Sequence, residues 1–274
     1  MRICVIGLDG LSLELIFCDE RLVNLRRLLD AGLFGKLASP PHATPALAWI
    51  SFATSRDPRS FGTNAPATGT DLSSVGDPPQ PPAIWDLFTQ QGKNSIIVGV
   101  LPSASRQSSI AADESFDAIL RTSREQWEAA HRRMSQEPWD CFQFVDSALQ
   151  RAQCEPTALA DYCLWLDAQI GLVLERVDEH TIFLLVSIRG AEHSADETEG
   201  MFALAAPNCP LNGEYEGATL LDLAPTLLDL AGCDIPSAMQ GRSLVAGMEK
   251  KSSDADGDDN ERLLRDRLAG LGYI

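Results

Sequence analysis

The chain has 274 residues, with 22 Lys plus Arg against 39 Asp plus Glu and a formal net charge of -17. That length suits one large α/β domain or two small ones with a full core, and 45% hydrophobic with 22% charged residues is an ordinary globular composition. The negative field disfavours nucleic acid and anionic membrane surfaces as partners, and no apolar run reaches the length of a membrane span.

Residues 2–8 (RICVIGL) read as a first strand, ended by Asp9 and Gly10. Leu22, Leu25, Leu28 and Leu29 repeat at helical spacing, which predicts a helix over 22–31 with Gly32 as its C-cap. A short strand at 33–37 and a Pro-containing loop follow. A helix then covers 45–55 (PALAWISFATS), with Pro45 in its first turn and Thr44 at its N-cap. Residues 63–82 are rich in Gly, Pro, Ser and Thr and form a loop.

Helix 83–91 leads to strand 95–101, and 103–124 carries no clear period. Next come a helix at 124–135, a strand at 141–145 and a long helix at 157–177. Strands at 181–187 and 201–206 precede a helix at 219–231 that Pro225 kinks or restarts. A final helix spans about 259–269. Strands alternating with helices predict a mostly parallel sheet covered on both faces, a three-layer α/β/α sandwich. The expected organisation is one domain over 1–248, an acidic loop over 249–260, and a C-terminal helix and tail over 261–274 packing on the same domain.

Seven Cys without a paired spacing read as buried thiols in a reducing compartment. The start, MRICVIGLDG, is a strand and lacks the regions of a signal peptide, so the expected location is cytoplasmic.

Two strand ends carry the candidate chemistry. Asp9 ends the first strand, where a carboxylate either holds a metal or makes a turn with Gly10. GLDGLS is not a dinucleotide fingerprint. Strand 181–187 runs into LLVSIRG, which places Ile188 and Arg189 at the end that faces the crevice of an open sheet.

In order, VIGLDG, NLRRLLDAGLFGKL, TPALAWISFATSRDP, IWDLFTQQGK, WDCFQFV, YCLWLDAQIGLVLERV, LLVSIRG, EGMFALAAP, EGATLLDLAPTLLDLAG, IPSAMQGRSL and RLAGLGYI resemble the alkaline phosphatase superfamily. The resemblance is to the type I phosphodiesterase/nucleotide pyrophosphatase-like branch. It covers most of the chain apart from 63–82 and 103–135.

The resemblance implies two divalent metals, usually zinc, held by Asp and His around a Thr or Ser nucleophile. Asp9 matches the first-strand ligand. Anchoring on Trp49 puts Pro45 at the nucleophile position, with Thr44 one residue earlier. The family's His after the nucleophile helix falls on Phe61, and the remaining ligand positions fall on Gln150, Cys154, Ile188, Arg189 and Asp196, with His193 close enough to replace the last. Ile188 has no donor atom, and Arg189 carries a charge that repels a dication and persists at neutral pH.

The expected protein is therefore a degenerate member that acts as a binding or regulatory module, with no cofactor. Its expected ligand is a phosphate- or sulfate-bearing small molecule or a protein partner, bound through Asp9, Arg189 and His42. Arg189 is expected to pair with Asp9 in place of the lost cations. The alternative is a working metal-dependent phosphodiesterase or phosphatase built from Asp9, Thr44 and His193, with zinc or another divalent ion. Asp140 and Asp146 read as structural. His131 and His180 read as solvated, and Asp167 as a cap or ion-pair partner.

Overall fold

The computed structural model describes residues 1–39, 45–61, 82–99, 115–151, 156–189, 199–207 and 209–246. Strand β1 (Arg2–Leu8) lies at the centre of the sheet, between β4 (Cys141–Asp146) and β5 (Thr181–Ser187), parallel to both. Its residues alternate between two layers, as a pleat requires. Ile3 and Val5 enter one apolar cluster, and Cys4, Ile6 and Leu8 enter the other. A strand buried on both faces needs the unbroken apolar run RICVIGL rather than an alternating one.

The sheet extends through β3 (Ser95–Val98) beyond β4. On the other side it passes from β5 through β6 (Glu199–Ala205) to β2 (Leu33–Ala38) and β7 (Gly213–Glu214), with β8 (Ala218–Thr219) also on β2. Only β6 runs against its neighbours β5 and β2. The expected mostly parallel three-layer sandwich is what forms.

One face is covered by α3 (Pro45–Thr54), α4 (Ile84–Gln90) and α8 (Leu223–Leu230), through Trp49, Phe52, Ile84, Phe88, Leu223 and Leu227. The other is covered by α1 (Leu13–Cys18), α2 (Val23–Ala31), α5 (Phe116–Gln136) and α7 (Pro156–Leu174), with the short α6 (Ala148–Arg151) beside them. Each of these buried aliphatic or aromatic side chains contributes about 1.5–3 kcal/mol relative to exposure.

Helix α5 begins at Phe116, earlier than the period at 124–135 suggested. Its first turns contribute Ile119 and Ser123 to the buried side, too few apolar residues to register as a stripe. Pro225 sits in the first turn of α8 after a 3-10 turn at Leu220–Asp222, so it restarts the helix rather than kinking it. Helix α1 was not foreseen, because a six-residue helix shows little periodicity. The expected acidic loop and C-terminal tail lie outside the described residues. Among those residues no helix is long and apolar enough to cross a membrane.

The six described cysteines are free thiols. Cys4, Cys141 and Cys163 are buried as expected, and burial pushes the Cys141 thiol up to about 12, which makes it inert. Cys18, by contrast, is exposed.

Buried carboxylates tie the layers together. Asp167 of α7 caps α2 from a distance: its Oδ1 accepts from the Leu25 amide at 2.8 Å, and its Oδ2 accepts from the Asn24 amide and side chain. The N-cap of α2, Leu22, has no side-chain oxygen for this task.

Asp146 ends β4 and gathers more. Its Oδ2 accepts from the Ser123 hydroxyl at 2.6 Å, the Trp127 indole at 2.9 Å and the Tyr162 hydroxyl at 2.9 Å, and its Oδ1 accepts from the Ala148 amide at 2.8 Å. The carboxylate thus joins α5, α7 and the turn into α6 to the strand end.

Asp146→Ala takes the acceptor from four donors in the interior and should cost about 3 kcal/mol or more in urea denaturation, whereas Tyr162→Phe removes only that hydroxyl's contacts with Asp146 and Ser123 and should cost about 1 kcal/mol. Equal costs for the two variants would refute the hub role.

Candidate functional site

The C-terminal ends of β1, β4 and β5 converge, the place where an open α/β sheet presents its crevice. Backbone bonds stitch them together. The Asp9 amide donates to the Asp146 carbonyl at 3.0 Å, the Gly10 amide to the Arg189 carbonyl at 3.0 Å, and the Gln150 amide to the Asp9 carbonyl at 2.9 Å. The Ser187 hydroxyl donates to the Arg189 carbonyl at 2.6 Å, and Ser39, just after β2, donates to the Ile188 carbonyl. Gly10 turns with φ +95°, and a Cβ there would lie 2.7 Å from the Gln150 amide nitrogen. Only glycine allows the β1 turn to come so close to the β4 turn.

Asp9 is 1% exposed. Its Oδ2 accepts from the Trp49 indole Nε1–H at 3.0 Å, while its Oδ1 has no hydrogen-bond partner among the described residues. Gly7 makes the contact possible: a Cβ at that position would lie 2.6 Å from Trp49 Cζ2, so the ring occupies the slot that a side chain would fill.

Burial pushes the Asp9 carboxyl up to about 7, and the nearby charge of Asp146 adds to the shift. The Trp49 indole, the Ile188 backbone and the Arg189 charge oppose it.

The expected direct pair between Asp9 and Arg189 does not form. The Asp9 side-chain hydrogen-bond partner is Trp49, and the charge of Arg189 lowers the carboxyl's pKa. Ile188 is fully buried against the α3 layer. The carboxylate beside Asp9 is Asp146, which follows from the register of Leu8 with that residue. Gln150 lies in α6 and contributes its backbone amide. Thr44, His42, Cys154, His193 and Asp196 lie outside the described residues. His131, expected in solvent, is half-buried against Gln169 at 3.1 Å, and burial lowers its pKa. His180 is exposed in a turn, as expected.

The described side chains do not fit a two-dication centre. Zinc of this kind needs several oxygen and imidazole donors with lone pairs to spare. Asp146 is saturated by four donors, Ile188 has no donor atom, and Arg189 is a cation. Asp9 offers one unpartnered oxygen, and among the described residues no three His, Cys, Asp or Glu side chains gather around it or elsewhere.

The raised Asp9 carboxyl has a pH signature. The folded chain holds this proton up to about pH 7, whereas an unfolded Asp releases it near its ordinary value of 3.8. The stability it contributes is full below the lower value and is lost as pH rises through the upper one. Between them Asp9 should lower unfolding free energy by up to about 1.4 kcal/mol per pH unit. Asp9→Asn should remove that component, so its stability relative to the parent should increase from pH 5 to pH 8 in urea titrations. A difference that stays constant with pH would contradict the shift.

No protein-family model matches the chain. A 2,3-bisphosphoglycerate-independent phosphoglycerate mutase of Vibrio vulnificus is 37% identical over 91 residues, which is 29% of this chain and 18% of that protein. The chain therefore matches less than a fifth of the length of that curated relative. Solved structures match far more of it. A sulfatase-like protein of Bacteroides thetaiotaomicron superposes with a TM-score of 0.63 at 15% identity, covering 92% of this chain and 75% of that one. The murine ectonucleotide pyrophosphatase/phosphodiesterase 5, solved as an inactive variant with AMP, gives 0.63 at 9% identity over 86% of this chain and 96% of that one. A member of the alkaline phosphatase superfamily from Vibrio parahaemolyticus gives 0.57 at 14% identity, over 90% and 70%. With its sheet order and layers, the chain has the fold of the alkaline phosphatase superfamily.

Proposed function

We propose that this chain is a degenerate member of the superfamily, on the phosphodiesterase/nucleotide pyrophosphatase-like side, that acts in the cytoplasm as a binding or regulatory module with hydrolysis lost or strongly reduced. One observation carries the reading. The strand-end carboxyl Asp9 is buried, with one oxygen bound to the Trp49 indole, next to a fully buried Ile188, and among the described residues no cluster of metal donors adjoins it. A phosphoryl-transfer site needs open coordination positions and a donor set that balances the charge of its dications. The described residues supply neither.

Recognition of an anion falls to Arg189 in this reading. It follows the buried β5 and is itself only half-buried. Guanidinium binds phosphate or sulfate through two parallel hydrogen bonds, so a small molecule bearing either group is the ligand class we assign, with a protein partner as the regulatory counterpart. The solved relatives include a sulfatase-like protein and a phosphodiesterase holding AMP, which agrees with that ligand class.

Protein purified without chelator should contain well under one zinc per chain and should hydrolyse a generic aryl phosphodiester no faster than buffer. About two zinc per chain, with hydrolysis that a chelator abolishes, would overturn this reading in favour of an active metal-dependent phosphodiesterase. Titration with sulfate and AMP should show binding that Arg189→Ala weakens by about tenfold or more. Absence of binding to the parent chain would remove the small-ligand part.

A further inference from the structure

We propose that Ser39 and Ser187 are positioning residues that fix the direction in which the Arg189 side chain leaves the main chain, so that Arg189 meets its anion already ordered. The inference rests on the anion-binding role proposed above and deepens it. It names two residues that need not touch the ligand and on which its affinity depends.

Two peptide planes flank the Arg189 Cα, and such planes are rigid units joined only through φ and ψ. One carries the Ile188 carbonyl, whose oxygen accepts from the Ser39 hydroxyl just after β2. The other carries the Arg189 carbonyl. Its oxygen accepts from the Ser187 hydroxyl at 2.6 Å and from the Gly10 amide at 3.0 Å. With both planes held, φ and ψ of Arg189 are fixed, and so is the direction of its Cβ. The donors come from the turn after β1, the end of β2 and the end of β5, so the Arg189 turn is tied to the sheet and not only to itself. Ile188 adds an apolar anchor, because its side chain is fully buried in the cluster of the α3 layer.

The alternative is that the hydroxyls only satisfy buried carbonyls. One donor per carbonyl would do that, yet the Arg189 carbonyl takes two. Ser39 is itself only half-buried, where water can serve a hydroxyl, so burial does not force its bond to the turn.

The clamp has a consequence for binding. An arginine on an unanchored turn gives up backbone freedom when its ligand arrives, and that entropy opposes binding. A clamped turn has given it up on folding. The planar guanidinium holds phosphate or sulfate through two parallel bonds, so its orientation matters as well as its charge. Removing a clamp hydroxyl returns mobility to the turn and weakens binding, although no group that contacts the anion is removed.

Full-length Ser39→Ala and Ser187→Ala test the clamp, with Ser39→Thr as the variant that keeps a hydroxyl. Calorimetric titration with sulfate and with AMP should show affinity reduced about threefold to tenfold in each alanine variant, as expected for one hydrogen bond, and close to the parent value in Ser39→Thr. Amide hydrogen exchange supplies a readout without ligand. The Gly10 amide, which donates to the Arg189 carbonyl, should exchange about tenfold faster in Ser39→Ala, while amides in the middle of β1 and β5 keep their parent rates. A parent chain that binds either anion, with Ser39→Ala binding it equally well, would overturn this inference and leave the functional reading standing. Uniformly faster exchange along β1 and β5 would overturn it too, because the hydroxyl would then contribute only to overall stability. If Ser187→Ala fails to fold, the two Ser39 variants decide alone. Failure of the parent to bind sulfate or AMP would remove the small-ligand reading and, with it, the role assigned to the clamp.

Discussion

Burying a carboxylate at the end of a central parallel strand constrains everything around it. Water cannot satisfy the group there, so the protein must bring donors to it or accept its proton. Two such carboxyls stand side by side here, Asp9 on β1 and Asp146 on β4, and their environments differ. Asp146 has four donors from α5, α7 and the following turn. Asp9 has one indole donor. Leaving a buried acceptor unpartnered costs about 1–3 kcal/mol. The first carboxyl is therefore part of the scaffold, while the second is where the scaffold carries a cost.

The surrounding backbone shows why the fold tolerates that cost. Parallel strands pair through evenly spaced bonds along their length, but their ends need other partners. Around Asp9 the amides of Asp9, Gly10 and Gln150 all donate to carbonyls of neighbouring strand ends. The tip of the sheet is closed by its own main chain. The Gly10 turn and the Gly7 slot let backbone and indole approach to distances that a Cβ would forbid. A crevice built to hold cations would direct several lone pairs at one point. Among the described residues, the Asp9, Asp146 and Arg189 carbonyls here accept from the chain itself.

Much of the architecture was legible because buried parallel strands and amphipathic helices leave strong local patterns. RICVIGL, the Leu spacing of α2 and the apolar run before Ile188 each announce an element without tertiary knowledge. The strand-end position of Asp9 was equally legible. Its partner was not. A tryptophan in PALAWISFATS reads as core packing, and it is core; only the pairing of β1 with the α3 layer shows that its N–H meets Asp9. Asp146 read as a strand flank, because its donors Ser123, Trp127 and Tyr162 lie on two other elements, one of them only partly recognised. Asp167 was read as a cap or ion-pair partner, and it caps a helix far away in sequence. Local patterns locate elements, whereas hydrogen-bond partners are set by the register between them.

Arg189 was expected to neutralise Asp9, and the geometry shows why a longer-range effect suffices. A guanidinium in contact with a buried carboxylate would itself be buried, and the desolvation of two charges commonly outweighs their attraction. Holding Asp9 against an indole while Arg189 stays half-buried avoids burying the cation. It also keeps part of the Arg189 side chain in a medium of higher dielectric, where a charge is less costly. In a chain of net charge -17, the anion site proposed at Arg189 would be a local exception in a field that repels anions. The same physical choice that keeps Asp9 out of an ion pair thus keeps Arg189 partly exposed, which is what the proposed anion-binding role requires of it.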